Sequence, residues 1–188
     1  VLSAVARYNE RDIDSAVSIL KEVVADDLQN DGAWYYLGQC AIAKNDPETA
    51  EQCYRMASEI DPSNFWYRYR LARLYAVTSR PELTADMYEK LLEDFPKKSD
   101  LYFDLVELYG TQQEYEKALE TLKEIETVFG MTESIAVYRF NLLRMLDRHE
   151  EAFKSLEEYN EDYSSPFILS TLADYQMSMY NDSTALAY

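Results

Sequence analysis

The stretch DGAWYYLGQCAIAKNDPETAEQCYRMASEIDP, residues Asp31–Pro62, decides the fold. WYYLGQCAIAKN carries apolar residues at helical spacing, DP breaks it, and ETAEQCYRMASEI resumes a helix that stops at Pro62. The same pattern then recurs along the chain. Ala16, Ala50, Thr84, Ala118 and Ala152 stand at successive steps of 34 residues, and Ala185 follows one residue early. Four positions on, Leu20, Tyr54, Tyr88, Leu122 and Leu156 keep the step, and Pro62, Pro96 and Gly130 form a third column of residues that end helices. A fixed period of this size means a stacked array of repeats. The small residue lets two helix backbones approach, and the larger one on the same face fills the space beside it. The aromatic cluster Trp34, Tyr35, Tyr36 therefore reads first as packing.

Composition agrees with long helices. The 188 residues are 47% hydrophobic and 14% aromatic, with only four Gly and five Pro to make turns. Lys and Arg number 18 against 35 Asp and Glu, a net charge of −17 that repels phosphate backbones and anionic lipid, so nucleic acid is not expected as a partner. No run approaches the ~18–20 apolar residues of a membrane span, and no direct membrane insertion is expected. Cys40, Cys53 and His149 cannot supply the four ligands of a structural zinc site, so no metal or cofactor is expected. The two cysteines read as buried small hydrophobes, with a disulfide between them as the alternative in an exported protein.

Residues 31–64 hold Trp34, Leu37, Gly38, Ala50, Tyr54, Ala57 and Pro62 at the spacing of a known repeat, with Ala41 in a place where that repeat has Tyr. On these residues the chain resembles the tetratricopeptide repeat family. Leu71, Ala72, Tyr75, Tyr88, Leu91 and Pro96 continue the resemblance, with Arg68 in the Trp place. Tyr102, Leu105, Tyr109, Ala118, Leu122 and Ile125 follow, and the next block departs with Arg139 where Leu is usual. The resemblance implies an all-α fold, an α-solenoid of antiparallel helix pairs wound as a right-handed superhelix. It divides residues 1–188, one array, into complete repeats at 31–64, 65–98, 99–132 and 133–165 between partial ones at 1–30 and 166–188. Such an array is expected to be a piece of a longer one. Val1, Leu2 and Val5 at one end and Leu186 and Tyr188 at the other would then expose apolar faces and support weak self-association. A pentatricopeptide array that reads RNA is opposed by the net charge and by the Trp34-Leu37-Gly38 signature.

No catalytic constellation emerges, and the chain is not expected to be an enzyme. His149 takes the place of Tyr115 one period earlier, an aromatic position at the junction of paired helices, and no nucleophile is placed to partner it. Adjacent carboxylates such as Glu150 and Glu151 diverge on a helix. In the resembled family the first helix of each pair lines an inner groove. That implies partner-binding candidates at Tyr35, Tyr36, Gln39, Trp66, Tyr69, Arg70, Arg73, Phe103, Asp104, Glu107, Tyr138, Asn141 and Arg144, types that carry binding energy at interfaces and also brace neighbouring helices. Some relatives clamp chaperone C-termini with Lys and Asn. Here the corresponding positions hold Tyr35, Gln39, Arg70, Asp100 and Asp104, whose carboxylates repel such a ligand, although Arg70 with Arg73 suits an acidic side chain. The expected function is a non-catalytic protein- or peptide-binding or scaffolding module. The alternatives are a structural or self-assembling segment and a regulatory domain of a larger protein. The Asp-, Asn- and Tyr-rich idiom leans toward a bacterial envelope or periplasmic setting over the cytoplasm.

Overall fold

The computed structural model describes the backbone of residues 1–185 and the side chains of residues 1–178, so Leu186, Tyr188 and the side chain of Ala185 lie outside the described residues. Eleven helices and no strand occur among them. The chain forms two compact units. The first, Val1–Phe95, contains α1 (Leu2–Asn9), α2 (Ile13–Asp26), α3 (Asp31–Ala43), α4 (Pro47–Ile60), α5 (Phe65–Val77) and α6 (Pro81–Asp94). The second begins at Pro96 and contains α7 (Ser99–Thr111), α8 (Tyr115–Phe129), α9 (Glu133–Met145), α10 (His149–Tyr163) and α11 (Pro166–Ala185).

The alanine column is the seam within the pairs. Ala16, Ala50, Thr84, Ala118 and Ala152 are all fully buried, and so, within a few percent, are Leu20, Tyr54, Tyr88, Leu122 and Leu156. Thr84 keeps its hydroxyl satisfied by donating to the Arg80 carbonyl at 3.0 Å, which answers the cost of burying it. Gly38 is buried against the ring of Tyr54; a Cβ there would lie 2.5 Å from Tyr54 Cε1. This glycine is required by close approach of helix to ring.

Each pair is closed by one turn geometry. Arg11, Asn45, Ser79, Gln113 and Asp147 all adopt left-handed φ of 56–63°, and they too stand 34 residues apart. Their N–H groups bond three residues back. The next residue, Asp12, Asp46, Arg80, Glu114 or Arg148, donates five residues back at 2.9–3.0 Å. That is the Schellman closure of a helix C-terminus. The donating residue also begins the following helix: Asp12 accepts from the Ser15 N–H and Asp46 from the Thr49 N–H, satisfying donors that a helix start leaves open. The connection within each pair is thus three residues long, which sets the two helices of a pair antiparallel. One period after Asp147 the turn does not recur, because α11 continues as helix through Ala185.

Candidate functional site

α3 and α5 begin alike. Asn30 accepts the Ala33 N–H at 3.0 Å and Asn64 the Trp66 N–H at 3.1 Å, so both first turns are capped and their side chains held in register one period apart. Between the two helices lies a cavity of about 420 Å³ lined by Gly32, Tyr35, Tyr36, Asn64, Trp66, Tyr67 and Arg70. Gly32 provides the room: a Cβ there would meet nothing nearer than Asn30 Oδ1 at 3.8 Å.

Aromatic rings form the walls. Tyr35 lies 5.1 Å from Tyr67, 5.3 Å edge-on to Tyr36 and 5.9 Å from Tyr54, centroid to centroid, and its hydroxyl accepts from Gln39 Nε2 at 3.0 Å. Tyr67 is buried and donates its hydroxyl to Asp31 Oδ2 at 2.8 Å. Burial, then the Asp31 carboxylate, raises its phenol above the usual range. Burial also raises the Tyr54 phenol, with the Arg70 charge pulling the other way. Trp66 is 53% exposed, although its ring meets Phe65 at 5.3 Å and Tyr69 at 6.1 Å. Arg70 is exposed and in no ion pair among the described residues.

The remaining candidates in this unit stand beside the cavity. Tyr69 stacks on Phe65 at 5.2 Å and on Tyr88 at 6.2 Å, which makes its ring a link between α5 and α6. Arg73 donates to the Tyr69 hydroxyl at 3.3 Å, its guanidinium 5.9 Å from that ring. Arg68, in the family's Trp place, pairs with Asp94 and is largely covered.

In the second unit, Phe103 on α7 and Tyr138 on α9 pack 5.5 Å apart, and the Tyr138 hydroxyl donates to Glu107 Oε1 at 2.8 Å. Burial, then that contact, raises the Tyr138 phenol. Asp104 is half-buried and Asn141 exposed. Arg144 lies over the rings of Phe140 (5.4 Å) and Tyr175 (5.2 Å). A second cavity, about 480 Å³, opens between α8, α9 and α10, where Arg139 replaces the leucine of its column and pairs with Glu126.

His149 is a packing residue: its Nδ1 shares a 2.9 Å hydrogen bond with the Tyr175 hydroxyl, and the rings stack. Cys40 and Cys53 are buried free thiols in one core cluster. Burial pushes the Cys53 thiol up to about 11 and raises Cys40 as well. Among the described residues no group of three or more His, Cys, Asp or Glu is placed to hold a metal ion, and no helix is long and apolar enough to cross a membrane.

Helix pairs closed by one turn and seamed by one small-residue column define an α-solenoid repeat scaffold. A sequence model of the tetratricopeptide repeat matches residues 8–67, so that part of the chain is similar to tetratricopeptide repeats. Cellulose synthase operon protein C of Pseudomonas fluorescens is 30% identical over 91 residues, 48% of this chain and 7% of that protein. The chain spans less than about a tenth of the length of the curated relatives it matches. Among solved structures, a tetratricopeptide repeat protein from Parabacteroides merdae superposes with a TM-score of 0.71 at 18% identity, covering 100% of this chain and 75% of that one. YrrB, described as a tetratricopeptide-repeat protein with an unusual peptide-binding site, gives 0.66 at 12% identity over 91% of this chain and 88% of its own. The fold is shared with tetratricopeptide-repeat proteins of known structure.

Proposed function

We propose that the protein is a non-catalytic interaction module that holds a segment of a protein partner between α3 and α5. The cavity carries this reading. It is concave, walled by Tyr35, Tyr36, Trp66 and Tyr67, and finished by one guanidinium. Its volume falls at the lower end of the ~300–1,000 Å³ typical of binding sites. Large rings with few rotatable bonds beside an arginine are the surface that most often anchors partners. The net charge of −17 favours protein over nucleic acid.

Gly32→Leu tests it. The new side chain enters the cavity from open space, and replacing a helical glycine favours folding by roughly 0.5–1 kcal/mol. Selection of a random dodecapeptide display library on immobilised wild type should enrich peptides that the equally well folded variant fails to retain. Equal retention refutes the cavity as the site.

A second reading, weak self-association, rests on α11, where Phe167, Leu169 and Met177 are each more than half exposed. Sedimentation showing a concentration-independent monomer would end it.

A further inference from the structure

We infer that the segment held between α3 and α5 is acidic and presents an apolar, preferably aromatic, side chain next to a carboxylate on the same face. This rests on the groove reading above and adds the chemistry of the occupant. α5, FWYRYRLARLYAV, has three arginines and no acid in a chain of net charge −17. Arg68 is spent on Asp94 and Arg73 lies against Tyr69. Arg70 lines the cavity with no carboxylate on it among the described residues.

Spacing makes the recognition specific. Trp66 and Arg70 are four residues apart on one helix, so they stand on the same face about 6 Å apart along the axis. A ligand that lays an apolar side chain against Trp66 and Tyr36 must place its carboxylate at that separation. In an extended segment, side chains two residues apart point the same way and lie roughly 6.5–7 Å apart. The expected motif is therefore an aromatic or large aliphatic residue two positions from Asp or Glu. Repulsion from the rest of the protein acts on the approach of such a ligand. It is screened beyond about 8 Å at physiological salt, whereas a charge-assisted pair with Arg70 forms at contact.

The peptide selection tests the motif and the groove separately. Pools enriched on wild type should carry Asp or Glu two residues from Phe, Trp, Tyr or Leu. A synthetic peptide of that motif should lose roughly 10- to 100-fold affinity for Arg70→Glu by fluorescence anisotropy. Arg70→Glu, exposed and checked for native circular dichroism, should itself select peptides with Lys or Arg in place of the acid. Wild-type pools that are neutral or basic yet lost on Gly32→Leu overturn the inference and leave the groove standing. Acidic pools indifferent to Arg70→Glu also overturn it. Pools indifferent to Gly32→Leu, or no enrichment, remove the groove and the inference together.

Discussion

Gly38→Ala is the sharpest test of how the pairs pack. The added methyl would sit 2.5 Å from Tyr54 Cε1 and 2.7 Å from Cδ1, against the ~3.5–4.0 Å of an ordinary carbon contact, so the ring must retreat by about 1 Å. Tyr54 is 2% exposed and shares a core cluster with Ala50, Leu71 and Tyr75, which leaves little space to retreat into. Overpacking of this kind costs about 1–3 kcal/mol, and the better helix propensity of alanine returns up to about 1 kcal/mol. For a net loss of about 1–2 kcal/mol, at about 2–4 °C per kcal/mol for a chain of this length, the midpoint should fall by roughly 2–8 °C in thermal unfolding followed by circular dichroism. The control is Gly110→Ala, where nothing lies within 4 Å of the new Cβ and stability should rise. Tyr54→Leu should rescue Gly38→Ala, because Ala4 and Leu20, which hold the corresponding places one period earlier, are both fully buried in one core cluster. The coupling in the double-mutant cycle should reach about 1 kcal/mol or more. Strict additivity, or Gly38→Ala as stable as Gly110→Ala, would refute the close-approach argument.

Three further outcomes are expected. Ser79→Gly and Gln113→Gly should each raise the urea midpoint, worth about 0.5–1 kcal/mol, since both hold left-handed φ at a cost glycine does not bear; a loss at both would contradict the turn assignment. Glu51 is held below the usual carboxylate range by its hydrogen bond to Arg80, and Asp12 and Asp46 by their bonds to Ser15 and Thr49. Their contribution is therefore complete above the unfolded values near ~4 and is lost as pH falls through the lower folded ones, so the stability gap between wild type and Glu51→Gln should close on acidification below about pH 4. Native Cys40 and Cys53 should resist a thiol reagent at neutral pH and react in denaturant; fast native labelling would show the core open.

The packing columns were legible because burial constrains residue size: only small side chains fit at Ala16, Ala50 and their successors, and those choices repeat in print. The turn column was not legible. Left-handed φ is usually announced by glycine, but here it is carried by Arg, Asn, Ser, Gln and Asp, whose identities share no signal while the backbone bonds around them are the same. Of the candidate residues, Tyr35, Tyr36, Trp66 and Arg70 line one cavity. Gly32, Asn64 and Tyr67 complete its lining and carry no signal in the sequence that marks them for it. Gly32 and Trp66 occupy the same place in successive periods, but that the small residue of one helix and the large residue of the next line one cavity is a matter of helix packing rather than of spacing. Tyr69 and Arg73 lie one turn along from Trp66 and Tyr69 respectively, but Tyr69 spends its faces on Phe65 and Tyr88.

The left-handed reversals have a consequence for inheritance. Each closes its donors on carbonyls three and five residues back, all inside one period, so a duplicated stretch of gene carries a finished corner with it and asks nothing of the copy beside it. Lengthening by whole units is then structurally neutral at the corners, and whatever distinguishes one unit from another can drift on the helix faces alone.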